Sequence, residues 1–179
     1  RAGKTVTLRV LAGIHAPNWL YATGAKGFEF IDKNPNHSEE KRGEKGTFGK
    51  RLRISIPWDE TFLKKWGRLI ASVGERYGKY SDIVIIHITG PNRHSAEMIL
   101  PKEPEDKLHW KEIGYNPQRL IESWKRCIDL WAQAFPLSSL SLNLSPIIFN
   151  DGVMEAVAEY GVDKYGKRFL LQNNALTSN

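Results

Sequence analysis

Asp82-Ile83-Val84-Ile85-Ile86-His87-Ile88-Thr89, followed by Gly90-Pro91-Asn92, is a β-branched and almost unbroken apolar run closed by a turn dipeptide. Such a run is too short for a typical helix, and its lack of polar alternation reads as a strand buried on both faces, the pattern of a parallel sheet. Upstream, Asp59 stands as an N-cap ahead of Phe62, Trp66, Leu69, Ile70 and Val73, which share one helical face. Further upstream, Thr5 to Ile14 forms a second apolar run, stopped by His15-Ala16-Pro17. It predicts another buried strand.

Downstream the cycle repeats. After a Pro- and charge-rich loop, Asn116-Pro117 opens a helix whose stripe is Leu120, Ile121, Trp124, Cys127, Ile128 and Trp131, ended by Phe135-Pro136. Leu140 to Leu144 is the third strand, Asp151 is expected to cap a short helix through Val153, Met154 and Val157, and Arg168 to Gln172 begins the fourth strand. Strands alternating with helices predict an α/β fold with a parallel sheet. The long polar excursion at 22–57 carries Gly24, Gly27, Pro35, Gly43, Gly46 and Gly49 and the alternating segment Arg51 to Ile56, and reads as irregular loop with a short ribbon.

An open nucleotide-binding sheet would place a glycine-rich phosphate turn after its first strand, and Gly13-Ile14-His15-Ala16-Pro17-Asn18-Trp19 is no such turn. A (β/α)8 barrel is therefore favoured. A whole barrel needs eight strands, so the chain reads as a single domain, 1–179, forming part of one.

Composition narrows the function classes. With 179 residues, 41% hydrophobic and 26% charged, the chain can bury a substantial core. No apolar run reaches the roughly 18 to 20 residues of a membrane span, and no membrane partner is expected. Arg1 in place of Met implies that the natural N-terminus lies outside the sequence. Much of the excess behind the formal charge of +6 sits between Lys26 and Arg53, without a nucleic-acid-binding motif, and reads as a solvated basic loop rather than a nucleic-acid surface. Cys127 sits on the helical stripe and reads as a buried inert thiol. The histidines show no metal-ligand spacing, so neither metal nor other cofactor is expected.

In βα folds ligands bind at the residues following each strand. Here these are His15, Asn18 and Trp19; Asn92, His94 and Glu97; Asn143 and Ser145; and Gln172, Asn173 and Asn174, with Trp58 within reach of the same rim. Flat aromatic rings suit the C–H faces of pyranose sugars, and amides and imidazoles suit their hydroxyls, so the rim predicts carbohydrate binding. Glycosidic cleavage needs two carboxyl groups about 5 to 9 Å apart, and Glu97 is the one good candidate on this rim. Trp19 and Trp58 have a second reading as plugs of the barrel mouth, and Glu97 as an ordinary loop carboxylate. Trp66, Trp124 and Trp131 read as core, His87 as a core or barrel-interior histidine, and His37 and His109 as loop residues without a role.

Leu8 to Leu20, Ile56-Pro57-Trp58-Asp59, the helix carrying Trp66 and Gly74-x-Arg76-Tyr77, Ile88-Thr89-Gly90 and Ala96-Glu97-Met98 together resemble the middle of retaining (β/α)8 glycoside hydrolases, the clan of cellulases and β-galactosidases. The resemblance covers most of the chain. It implies that the chain spans about strands 3 to 6, hydrolyses a β-linked carbohydrate by a retaining two-carboxylate mechanism, and uses a general acid/base glutamate after strand four. In the clan that strand ends in Asn-Glu, whereas here it ends Thr89-Gly90 and the first carboxylate is Glu97. The clan's nucleophile follows strand seven and would lie outside this sequence. The alternative is a non-catalytic carbohydrate-binding barrel. Either reading expects the remaining barrel segments, or another copy of the chain, as partners for the open sheet edges.

Overall fold

A computed structural model describes residues 3–145, 148–149 and 151–174. Its elements run β1 (Val6–Leu8), α1 (Asn18–Ala22), β2 (Gly27–Ile31), α2 (Glu39–Arg42), β3 (Arg51–Ser55), α3 (Glu60–Tyr77), β4 (Ile83–His87), α4 (Pro104–Glu112), α5 (Pro117–Ala134), β5 (Ser139–Leu144), α6 (Val153–Tyr165) and β6 (Phe169–Asn173). The chain is α/β, with a four-stranded parallel sheet ordered β1-β4-β5-β6. The excursion resolves into an antiparallel hairpin, β2 with β3, in register from Gly27 opposite Ser55 to Ile31 opposite Arg51.

Strand order follows chain order without reversal, and α3, α5 and α6 pack side by side against the sheet. Ile86, Ile88, Leu140, Leu142 and Phe169 bury beneath that helical layer together with Trp66, Trp124, Trp131 and Val157. This is where the apolar runs and the tryptophan stripes meet, and burying such side chains stabilises by about 1.5–3 kcal/mol each. Pleating sends the alternate residues to the opposite face, where His87 pairs in register with Ser141, Ser141 with Leu170, and Asn143 with Gln172. The sheet therefore has an apolar helix-covered face and a polar face.

Local chemistry sets the element ends. Asp59 Oδ1 accepts the Phe62 amide at 2.8 Å, and Asn116 Oδ1 accepts the Gln118 amide at 2.8 Å, as their sequences predict. Arg168 donates to the carbonyls of Ala132, Phe135 and Ser138, tying the end of α5 to the start of β6. Cys127 is fully buried, and burial pushes its thiol up to about 12.

Three expectations are corrected. The first strand is short and mostly exposed rather than buried, Val6–Leu8 only, and the chain beyond it turns at Gly13, φ +52°, into the one-turn helix Gly13–His15. The loop before Asn116 contains α4, whose Trp110 is wholly buried and stacks on Phe28 of the hairpin. Asp151 does not cap α6: Gly152, at φ +78°, holds that position, and Asp151 accepts the Tyr115 hydroxyl at 2.7 Å.

Candidate functional site

The C-terminal end of β4 is fixed from several sides. The Thr89 carbonyl accepts both Trp66 Nε1 at 3.1 Å and Trp131 Nε1 at 2.9 Å, while Thr89 Oγ1 donates to the Val10 carbonyl at 2.6 Å. Two helices and the segment that follows β1 thus clamp one residue. Beyond it, Asn92 Oδ1 accepts the Gly90 amide, the Arg93 amide donates to Ile99, and the Ile14 amide donates to Arg93. The loop closes on itself and returns to the sheet, where Glu97 forms a parallel bridge with Asn143 and the Met98 amide donates to the Asn143 carbonyl at 3.2 Å. Seven residues after Gly90, the Glu97 side chain is held at the end of β5.

Around it lies a polar series on the sheet face away from the helices, where His87, Ser141 and Asn143 are buried. Asn174 Nδ2 donates to Glu97 Oε1 at 3.4 Å, and Ser95 Oγ donates to Glu97 Oε2 at 3.2 Å. Gln172 Nε2 donates to Asn174 Oδ1 at 2.7 Å, and Ser141 Oγ donates to Gln172 Oε1 at 3.2 Å, with Asn143 Oδ1 3.5 Å away. His87 completes the series beneath Asn143. Burial, then the nearby Arg9 charge, push its imidazole below the ordinary value, against a smaller opposing effect of the Asn143 side chain. Asn143 Nδ2 and His87 Nδ1 are buried without a partner among the described residues. Buried polar atoms in that state are costly unless a ligand or water meets them.

A second polar cluster joins the hairpin to the rim loop. The buried Asp32 carboxylate, just after β2, accepts Thr47 Oγ1 at 2.6 Å and His37 Nδ1 at 2.7 Å on one oxygen, and Arg93 Nη2 at 2.5 Å and the Asn34 amide at 3.1 Å on the other. Burial alone would raise this carboxyl, but the hydrogen bonds from Thr47, Asn34 and His37 and the Arg93 charge hold it far below the usual carboxylate range. His94 meets His37 edge to face at 4.9 Å, and burial, then Arg93, push its imidazole down to about 4. Sequence reading gave His37 no role and passed over Asp32, Thr47 and Arg93. The contact of Arg93 with Asp32 spans 61 residues and arises only on folding, whereas His37 lies five residues beyond Asp32 in the hairpin loop.

The predicted rim residues separate into groups. Glu97, Asn143 and Gln172 come together, joined by Ser141, Asn174 and His87, while Asn173 is exposed at the end of β6. Asn92 serves the backbone of its own turn, and His94 faces the Asp32 cluster. Trp19 and His15 line a cleft against Phe62, Lys65 and Leu69 of α3, and Asn18 accepts Arg53 Nη2 of the hairpin. Trp58 lies elsewhere, against Trp110, Tyr115 and Arg119. The two tryptophans thus sit in different packings, Trp19 against α3 and Trp58 against residues of α4 and α5. No helix among the described residues is long and apolar enough to cross a membrane. No protein family, curated protein or solved structure matches the chain.

Proposed function

We propose that the polar face of the sheet is the substrate floor of a (β/α)8 glycoside hydrolase-like barrel, with Glu97 as its general acid/base. The observation that carries this reading is the bridge between Glu97 and Asn143, which sets the carboxylate at the strand ends beside an amide and hydroxyl series. Chain-order strands with helices packed side by side support a segment of a barrel over a doubly wound sheet, whose order reverses. Leu170 and Leu171, exposed on the edge strand β6, support pairing of that edge with the remaining barrel strands or a second copy. In the retaining mechanism Glu97 protonates the leaving oxygen and then activates water, while a second carboxylate attacks the sugar.

The second reading is a carbohydrate-binding barrel without catalysis. It is favoured by one observation: among the described residues, the groups hydrogen-bonded to Glu97 are hydroxyl and amide, and no carboxylate joins them. Glu97→Gln in the full-length protein separates the two. Loss of turnover for aryl β-glycosides with poor leaving groups, milder loss for activated ones, and rescue of the latter by azide support acid/base catalysis. Equal small effects on both remove Glu97 from the mechanism, and saccharide binding without hydrolysis in the unaltered protein supports the second reading.

A further inference from the structure

Between the hairpin and the rim loop lies a cavity of about 470 Å³ whose lining includes Asp32, His37, Arg42, Lys45, Arg93 and His94. Its charge is one-sided. Arg42, Lys45 and Arg93 are cationic, and Asp32 is the one acid that lines it. Asp32 has no lone pair to spare, because each of its oxygens already accepts two donors. The acids of the same loop do not line the cavity, and Glu39 pairs instead with Lys50. Among the described residues no carboxylate pairs with Arg42, whose Nε donates to the Asn36 carbonyl, or with Lys45.

Polar atoms are also left over. Among the described residues the donor Arg93 Nε and the ring nitrogen His94 Nδ1 are buried without a partner, although both residues line the cavity. The Arg93 guanidinium lies over the Phe30 ring at 4.6 Å and is anchored to Asp32, so its position is set before any ligand arrives. Preorganised guanidinium and ammonium groups are the usual receptors for phosphoryl oxygens. Three cations against one anion leave two positive charges, which match the dianion of a phosphate monoester better than the monoanion of a sulfate ester. The volume exceeds that of a free phosphate and falls in the range of small-molecule sites.

We propose that this cavity is a binding site for the phosphate monoester group of a small phosphorylated molecule, held by Arg42, Lys45 and Arg93 with His94. The site stands apart from the reading of Glu97 and holds whether or not that residue is catalytic.

The test is calorimetric titration of the intact protein at constant ionic strength, free of phosphate buffer, with a hexose 6-phosphate, the matching 6-sulfate, the free hexose and inorganic phosphate. Arg42 and Lys45 are exposed and lie outside the Asp32 network, so the double variant Arg42→Gln/Lys45→Gln is expected to keep the unfolding temperature. Saturable binding of the hexose phosphate, weakened about tenfold in that variant and by a similar factor for the sulfate ester, supports the site. No saturable binding, or undiminished binding by the double variant, overturns it. Equal affinity for the sulfate ester overturns the assignment to a dianion, and equal affinity for inorganic phosphate overturns the assignment to an organic ester.

Discussion

Glu97 and Asn143 are side-by-side neighbours in a parallel β-bridge, locked by the Met98 amide on the Asn143 carbonyl. The bridge uses backbone only, which leaves the Asn143 side chain to the polar series, where its Oδ1 accepts Ser141 Oγ at 3.5 Å and its Nδ2 is buried without a partner among the described residues. Asn143→Leu is expected to keep the bridge and to leave stability unchanged or raised by about 1 kcal/mol, while removing saccharide binding. Urea unfolding and saccharide titration check both halves. A loss above about 2 kcal/mol would show that the amide supports the fold.

The double indole clamp on Thr89 makes a prediction about additivity. Trp66→Phe or Trp131→Phe each leaves the Thr89 carbonyl one donor, whereas the double variant leaves it none. Each single change is expected to cost about 1 kcal/mol beyond the lost ring contacts, and the double to exceed their sum. Strict additivity in a double-mutant cycle would show that the two hydrogen bonds are not coupled through that carbonyl.

Gly13 sits at φ +52°, and a Cβ there would collide with the carbonyl of Arg93. Neither partner can yield, because the same carbonyl accepts the Ile14 amide at 2.8 Å. Gly13→Ala is expected to cost more than about 2 kcal/mol and to loosen the loop that carries Arg93, His94 and Glu97. Hydrogen exchange of the Ile14 and Met98 amides reads that loosening, and unchanged protection of both would refute it.

What sequence made legible follows from the range of each signal. The runs at 83–89, 140–144 and 168–172 read as strands because no competing period offers itself, and the Trp66 and Trp131 stripes read as core because they repeat every third or fourth residue. Helix α4 escaped because Trp110 is its one deeply buried apolar side chain among charged neighbours, leaving no stripe. Trp19 reads as a rim residue because it follows the first strand, and Trp58 because it lies within reach of that rim; Trp19 is 57% exposed near Lys65, and Trp58 packs on Trp110. The Asp32 cluster escaped for a different reason. Asp32, His37 and Thr47 share the loop between β2 and β3, and only the docking of that loop on the rim loop brings Arg93 and His94 to them.

The last prediction concerns His94, whose imidazole is pushed down to about 4 by burial, then by Arg93, His37 and Arg42, against a weaker opposing pull from Asp32. An unfolded histidine titrates near 6.5, so between that value and about 4 the unfolded chain holds a proton that the folded chain refuses. Stability therefore falls as pH drops through this window. His87, also lowered, adds in the same direction. Asp32 works in a lower range: its carboxyl is depressed, so its contribution is complete above 3.8 and is lost only beneath it. The unfolding temperature is expected to decline from about pH 6.5 to about 4.5, with a shallower decline in His94→Gln. Proton NMR of the imidazole C–H signals gives the direct measurement, with the His94 midpoint near 4. A midpoint at the ordinary histidine value, together with an unchanged slope in His94→Gln, would show that this ring is solvated rather than enclosed against Arg93.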